Sequence, residues 1–225
     1  MVFSTVLLSL IVILPIIALI VSTVNIDTSN FRYLWNNLLL DYSLDTMYLV
    51  LITSFFSLLF GVLPAWYIST NNFTGKNIYD ILLYLPLAIP AYIMAFTYSD
   101  ILSYTGPLQS FTRNYFPDLA SFLNQDYLQI EVLGVIMALA LYPYIYTACR
   151  LSFSLIGANY IDLSRSLGMS RTKTFYKIII PLSRVSIFSG LFLVIMEVLN
   201  EYGAVKYFGV NTFTSGIFRS WYSMQ

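Results

Sequence analysis

Histidine is absent from this sequence, and cysteine occurs only once, at Cys149. Without histidine, the chain forms no histidine-based catalytic triad and no histidine proton relay. A zinc site needs several ligands close together, and a lone cysteine forms no internal disulfide bond. We therefore interpret Cys149 as a small apolar residue inside a helix.

Charge is also scarce, because charged residues make up 10% of the chain and hydrophobic residues 58%. A soluble domain usually carries about 25% charged residues. Lipid must therefore be the solvent for much of this surface. The net charge is zero, so the dense basic patch of a nucleic-acid-binding protein is missing. A phosphate-binding Gly-Lys-Ser/Thr motif is missing too, so the sequence does not predict ATP hydrolysis by this chain.

Five hydrophobic segments are long enough to predict membrane-spanning helices, since a span needs about 20 apolar residues. They cover residues 2–24, 47–69, 81–99, 131–149 and 185–199. The first segment is too long for the apolar region of a signal peptide and lacks a basic start, so we interpret it as an anchor.

Prolines at three positions within these segments predict kinked spans. Pro86 and Pro90 lie in the third segment and Pro143 in the fourth. Proline removes a backbone donor and kinks a helix. Such kinks are common in transporters, although a kink without a transport role is the alternative.

Loop charges predict the orientation of the spans. Residues 150–184 hold six basic residues against one acidic residue, Asp162, and Lys76 lies in the loop between spans two and three. Basic loops stay in the cytoplasm. We therefore expect the 150–184 loop to be cytoplasmic, and the N-terminus too, because an even number of spans separates them.

The 150–184 loop carries capping signals for two short helices. Asn159 is a good N-cap for a helix over 161–167, and Gly168 follows as a residue suited to the left-handed turn that ends a helix. Ser170 is placed to cap a second helix, which is predicted to stop at Pro181.

One face of the first of these helices is predicted to be apolar. Tyr160, Leu163 and Leu167 share that face by their spacing. The segment is either an amphipathic helix resting on lipid head groups or a docking element for a cytoplasmic partner.

The run Asp162-Leu163-Ser164-Arg165-Ser166-Leu167-Gly168, with Pro181 thirteen residues after Gly168, resembles the EAA loop of ABC-importer permeases. Asp162 stands where that pattern has Glu, and Leu163-Ser164 where it has Ala-Ala. The resemblance implies a loop that couples to an ATPase subunit. Its coupling residues would be Asn159, Asp162, Leu163, Ser164, Leu167, Gly168 and Pro181.

Two further segments, residues 85–107 and 201–221, resemble ferric-iron permeases of this type. The resemblance implies an all-α integral membrane protein with the helical bundle of a type I (MetI-like) ABC-importer permease. Residues 1–40 would be an anchor and periplasmic loop, and residues 41–225 the permease domain. Such chains usually have two homologous halves, so we expect this chain to represent the N-terminal half, incomplete at its C-terminus.

The resemblance also implies a function and partners. The chain would be an inner-membrane permease subunit that binds no cofactor and moves ferric iron. Its partners would be ABC ATPase subunits that bind the ATP, a periplasmic iron-binding protein and a second permease half. Thiamine, a polyamine or an oxyanion are the alternative substrates. An intramembrane enzyme and a non-transporting scaffold are the alternatives from other classes.

Three residues near the fifth span are candidates for the substrate path. Glu197 and Glu201 are four residues apart and would share one helix face, with Tyr202 beside them. A carboxylate near hydrocarbon usually faces a pathway or a partner, and ferric iron favours oxygen ligands. The alternative is that these are ordinary residues at the membrane interface.

Overall fold

A computed structural model of the chain describes residues 2–23, 38–117 and 125–223, and within these ranges it contains helices and no strands. The chain separates into two compact units, Met1–Leu40 and Asp41–Gln225. The first unit contains helix α1 (Val2–Thr23), which follows the first predicted span and includes Pro15.

The second unit contains the remaining helices, two of which are long. Their bounds are α2 (Leu39–Thr70), α3 (Lys76–Tyr84), α4 (Ala91–Leu102), α5 (Pro107–Tyr115), α6 (Ile130–Ser166), α7 (Arg171–Leu182), α8 (Arg184–Asn200), α9 (Gly203–Phe208) and α10 (Phe213–Ser223).

Two of the described helices, α2 and the Ile130–Ile156 part of α6, are long and apolar enough to cross a membrane. Two bent pairs bring the number of candidate spans among the described residues to four, if each pair counts as one span. One pair is Lys76–Ala88 with Ala91–Tyr115, bent by 96°, and the other is Arg171–Leu182 with Arg184–Asn200, bent by 71°. The second to fifth predicted spans each fall on one of these elements.

The break in the first bent pair has a local cause. Helix α3 ends in a 3₁₀ turn over Leu85–Ala88, and Ile89 is extended, with φ −108° and ψ 118°. The residue before a proline avoids the helical conformation because the proline ring crowds it. Pro90 therefore ends one helix and starts the next. Pro143, in contrast, lies inside α6 and does not interrupt it.

Helix α6 forms the centre of the second unit. Several of its side chains are fully buried: Leu133, Met137, Ile145, Tyr146, Cys149 and Phe153. A hydrophobic core of this kind is dominated by large apolar side chains packed at close contact. The buried position of Cys149 agrees with its interpretation as a small apolar residue.

Glycines let two neighbouring helices approach α6 closely. A Cβ on Gly61 of α2 would lie 2.8 Å from Ile145 Cβ, and one on Gly190 of α8 would lie 2.7 Å from Ile145 Cα. Small residues allow this approach between helices in a membrane. Ile145 is therefore held between α2 and α8.

The segment after α8 folds back toward the start of α2. Gly209 ends α9 with φ 70°. The backbone N–H of Phe213 then donates to Thr46 Oγ1 at 3.1 Å, and Gly216 packs against the Tyr42 ring. This end of the unit therefore joins α2 and α10.

Candidate coupling loop and substrate path

The first helix of the loop is not a separate element. Asn159 lies inside α6, which continues without a break to Ser166. The prediction that Asn159 caps a short helix over 161–167 is therefore wrong, although those residues up to Ser166 are helical. Residues 151–156 are mainly Leu, Ser, Phe and Ile, with no proline. Nothing there stops the helix, so the cost of starting a new one is avoided.

The turn after α6 follows the local prediction. Gly168 adopts φ 73°, and the N–H of Met169 donates to the Ser164 carbonyl at 2.9 Å. This six-to-one bond is the one that closes a Schellman turn, where a left-handed residue ends the helix. No atom lies within 4 Å of the place where a Cβ on Gly168 would stand. The requirement for glycine is therefore conformational and not steric.

Helix α7 begins at the predicted cap. Ser170 Oγ accepts from the Lys173 N–H at 3.4 Å. Thr174 Oγ1 donates to Ser164 Oγ at 3.0 Å, and both side chains are buried. Ser164 therefore ties α6 to α7 and does not belong to the outer surface of the loop.

Helix α7 ends at Leu182, one residue after Pro181, so its predicted stop agrees with the structure to within one residue. Residues Phe175–Ile179, before the proline, form a π-helical stretch that the sequence did not predict. The chain turns at Ser183, before α8.

The surface of the loop is apolar. Tyr160, Leu163 and Leu167 are exposed, with Leu167 at 72%. Asp162 is exposed beside them. An exposed apolar group with a polar rim is typical of an interaction site.

Aromatic contacts and one hydrogen bond connect the loop to α2. The Trp66 ring lies 6.1 Å from the Phe153 ring and 5.1 Å from the Phe175 ring, centre to centre. Arg171 also donates to Asn71 Oδ1 at 3.1 Å. Aromatic pairs at these distances pack favourably. Helices α6 and α7, which form the two sides of the loop, therefore both contact the C-terminal end of α2.

The carboxylates of the candidate substrate path lie in different elements. Glu197 is in α8, is exposed, and accepts from the Tyr144 hydroxyl at 3.2 Å. Glu201 lies beyond the helix in extended conformation, and its side chain accepts from the Ala204 N–H at 2.9 Å. The prediction that the two share one helix face is therefore wrong, because α8 ends at Asn200.

Tyr202 follows Glu201 and is held by its own neighbours. Its ring stacks on Phe218 with a centre-to-centre distance of 3.9 Å, and the Lys206 ammonium lies 5.4 Å from its centre. Within the described ranges, no group of three or more His, Cys, Asp and Glu residues is placed to hold a metal ion.

Residues 57–225 match the family described as "Binding-protein-dependent transport system inner membrane component". The chain belongs to this family. The matched region contains the loop, the candidate path and most of the helical bundle. The predicted fold class, an all-α membrane protein with the helical bundle of a type I ABC-importer permease, is confirmed. The family is an inner-membrane one, as predicted.

Individual members of the family resemble the chain over much of its length. The sulfate transport system permease protein CysT of Salmonella typhimurium is 26% identical over 167 residues, 74% of this chain and 57% of that protein. The Fe(3+)-transport system permease protein FbpB 2 of Haemophilus influenzae is 26% identical over 177 residues, 79% of this chain and 31% of that protein.

A third relative, the molybdenum transport system permease protein ModB of Escherichia coli, is 27% identical over 158 residues, 69% of this chain and 66% of that protein. The chain thus spans little more than half the length of CysT and about a third of FbpB 2. The three names give three substrates, so membership of the family does not decide which substrate this permease chain would carry.

Sequence reasoning missed a charged cluster next to the loop. Asp80 of α3 accepts from the Tyr146 hydroxyl and lies 3.3 Å from the Arg150 guanidinium, both on α6. Asp80 and Arg150 are 70 positions apart. No local sequence pattern predicts a pair so far apart in the chain. The one available signal was an acidic residue, Asp80, next to an apolar segment.

Proposed function

We propose that this chain is part of the permease of an ATP-driven importer and that its cargo is ferric iron. A periplasmic binding protein would deliver the iron, and two ATPase subunits would bind at the cytoplasmic loop. A second permease half would complete the path. The chain itself would carry out no chemistry and would bind no cofactor.

The position of Glu197 is the observation that supports a cationic cargo. It stands exposed on α8 among the exposed side chains of Phe192, Leu193 and Met196. A carboxylate on an apolar face within a membrane is costly unless it meets water, a cation or a protein group. Ferric iron is a hard cation that favours oxygen ligands. The Tyr144 hydroxyl meets one of the Glu197 oxygens, and a water-filled path for such a cation would meet the other.

Glu201 supports the same choice by a different argument. Helix N-termini attract anions, because their free N–H groups point outward. At the start of α9 the Glu201 carboxylate already accepts from Ala204 N–H. An oxyanion passing this point would meet a negative charge in place of a free donor.

The loop supports the ATP-driven mechanism. Leu163 and Leu167 form an exposed apolar surface directly before the turn at Gly168. The basic residues around it favour a cytoplasmic location. An ATPase subunit that grips this surface would move α6 and α7 together, because Ser164 and Thr174 join them.

An oxyanion is the second candidate, because the named relatives include sulfate and molybdenum permeases. In that case an arginine or a free helix N-terminus would have to face the path. Arg219 is the basic side chain nearest in sequence to Tyr202 after Lys206, and its guanidinium donates to Asn211.

Uptake of radiolabelled cargo tests the proposal. The full-length gene would be expressed with its ATPase and binding-protein partners, and cells would be offered ferric iron, sulfate or molybdate in parallel. We expect uptake of iron, and a loss of about tenfold or more with Glu197→Gln, since a contact to a charged group is worth about 1.5–3 kcal/mol and each 1.4 kcal/mol is a factor of about ten.

Glu131→Gln is the matched control for this experiment. Glu131 is also a carboxylate near a helix end, and it accepts from the Tyr48 hydroxyl at 3.1 Å. Its partner is on α2 and is not one of the candidate path residues, so its replacement should leave iron uptake unchanged. Uptake of sulfate or molybdate without iron would instead establish the second candidate, and uptake unaffected by Glu197→Gln would remove this residue from the path.

A further inference from the structure

A cluster of polar side chains joins three helices at the loop end of the bundle. The Arg150 guanidinium lies 3.3 Å from Asp80 Oδ2 and donates to Ser69 Oγ, also at 3.3 Å. The other Asp80 oxygen accepts from the Tyr146 hydroxyl. Ser69 lies in the last turn of α2, Asp80 is in α3, and Tyr146 and Arg150 are one turn apart on α6. We name these four residues the Asp80–Arg150 cluster.

The cluster is well shielded from solvent. The Tyr146 side chain is fully buried, and the Asp80 and Arg150 side chains are only 25% and 20% exposed. Arg150 Nε is enclosed and has no hydrogen-bond partner. Shielded ion pairs contribute little net stability, because desolvation offsets their attraction, but removing one partner leaves an uncompensated charge. Such a pair favours the one relative arrangement of its helices in which both charges are compensated.

The helices joined by the cluster lead in two directions. Along α6 the chain runs from Arg150 to the loop at Gly168 without interruption. Along α3 it runs through the Pro90 break into α4. There the Tyr92 side chain packs against Gly203, whose Cβ position lies 2.9 Å from Tyr92 Cβ and 3.4 Å from Glu201 Oε1. The cluster is thus a polar connection between the loop and the segment that packs against Gly203, next to Glu201 and Tyr202. Glu197 is joined to α6 separately, by the Tyr144 hydroxyl.

We infer that Asp80, Tyr146 and Arg150 are positioning residues that hold the α3–α4 segment to α6, so that a movement at the loop reaches the part of the path around Glu201. The inference rests on the proposed function for its consequence, but not for its geometry. When the ATPase moves the loop, α3 and α6 travel together. Without the cluster, only apolar and aromatic contacts, such as the Tyr84–Tyr146 ring pair, join the segment to α6, so the two move less closely together and more ATP is hydrolysed for each opening of the path.

A distance measurement tests the geometry without any cargo. Spin labels would replace Ile78 on α3 and Leu155 on α6, which are both exposed, in a Cys149→Ala background of the full-length importer. Pulsed electron paramagnetic resonance would compare the nucleotide-free complex with the complex trapped by ATP and vanadate. We expect one narrow distance distribution that is the same in both states. A distance that changes on trapping would overturn the inference.

Variants of the cluster provide the second part of the test. Asp80→Asn and Arg150→Gln should each broaden the distribution, and the exchange Asp80→Arg with Arg150→Asp should narrow it again. Glu131→Gln is the control, since it removes a carboxylate from the other end of α6. If the single variants do not accumulate, Tyr146→Phe keeps the buried ring and removes one hydrogen bond, and it should broaden the distribution too. Variants as narrow as the wild type would refute the positioning role.

The functional readout is the amount of cargo moved for each ATP hydrolysed. We expect Asp80→Asn to lower this ratio about tenfold while ATP hydrolysis continues, and the exchanged pair to restore it, in line with typical coupling between two sites. Transport of none of the three cargoes would defeat the proposed function, yet the distances would still decide the inference. Normal transport per ATP in Asp80→Asn would defeat the inference alone.

Discussion

Two glycines with nearly the same backbone conformation stand at different ends of the domain. Gly168 has φ 73° and Gly209 has φ 70°, and at both positions the space that a Cβ would occupy has no atom within 4 Å. An L-residue in the left-handed region costs about 1–2 kcal/mol. The strain of replacing either glycine is therefore similar, while only Gly168 adjoins the proposed docking surface.

This pair permits a controlled test of the coupling loop. We expect Gly168→Trp to abolish ATP-driven uptake, because the side chain strains the turn and covers the surface next to Leu167. Gly209→Trp should destabilise the protein by a similar amount but leave ATPase binding intact. Uptake and ATPase co-purification, normalised to membrane abundance, distinguish the two. Equal behaviour of both variants would place the coupling element elsewhere.

The helices of the bundle owe their spacing to small residues. A Cβ on Gly190 would meet Ile145 Cα at 2.7 Å, which is backbone and cannot turn aside. A Cβ on Gly134 would meet Ile52 Cγ2 at 2.6 Å and Ile52 Cβ at 3.0 Å. Rotation about χ1 can move Cγ2 but not Cβ, so it relieves part of the crowding at Gly134, whereas the backbone contact at Gly190 is relieved only by a shift of the helix.

We expect Gly190→Ala to destabilise the bundle by about 1–3 kcal/mol, as overpacked cores do. Gly134→Ala should cost clearly less. Thermal unfolding of the detergent-solubilised full-length protein, followed by the loss of its monodisperse elution peak, measures the difference. A larger loss of stability in Gly134→Ala than in Gly190→Ala would show that α8 yields more easily than its packing indicates.

Local chemistry predicted the ends of some helices and not others. Gly168 and Ser170 act within one turn of their own position, so their sequence was sufficient. The continuity of α6 through Asn159 could not be predicted, because a good cap is used only where a helix has a reason to start. The π-helical stretch Phe175–Ile179 could not be predicted either, because side-chain periodicity does not reveal that change of hydrogen-bond register.

At the scale of the whole molecule, the membrane spans could be predicted from apolar runs in the sequence. Pairs of residues that are distant in the chain could not. Apolar runs located the second to fifth predicted spans. The Asp80–Arg150 pair depends on how α3 folds against α6, which no window of sequence contains. Glu201 does not share a helix face with Glu197, because α8 ends at Asn200, one residue before Glu201. The family could be recognised from the sequence pattern of the loop. The substrate could not be predicted in this way, because it depends on how side chains are arranged along the path.

The orientation of the chain remains a prediction with a direct test. Lysines at 76 and 173 should face the cytoplasm, and Lys206 should face the periplasm, because basic loops are retained inside. Single cysteines at these positions would be labelled with a membrane-impermeant maleimide. We expect intact spheroplasts to label position 206 alone and inverted vesicles to label 76 and 173. The reverse pattern would turn the whole topology around.

Helix α6 runs unbroken over 37 residues, from Ile130 to Ser166. At 1.5 Å per residue it is about 55 Å long, well beyond a hydrocarbon core of about 30 Å. The height of Leu163 above the membrane and its direction around the helix axis are therefore both set by the length of α6. Adding one residue to α6 before Leu163 would rotate this side chain by about 100° around the helix axis. Adding seven residues would restore nearly the original direction and move Leu163 about 10 Å farther along the axis. An insertion or deletion between Arg150 and Leu163 would therefore change both the height of Leu163 and the direction in which its side chain points.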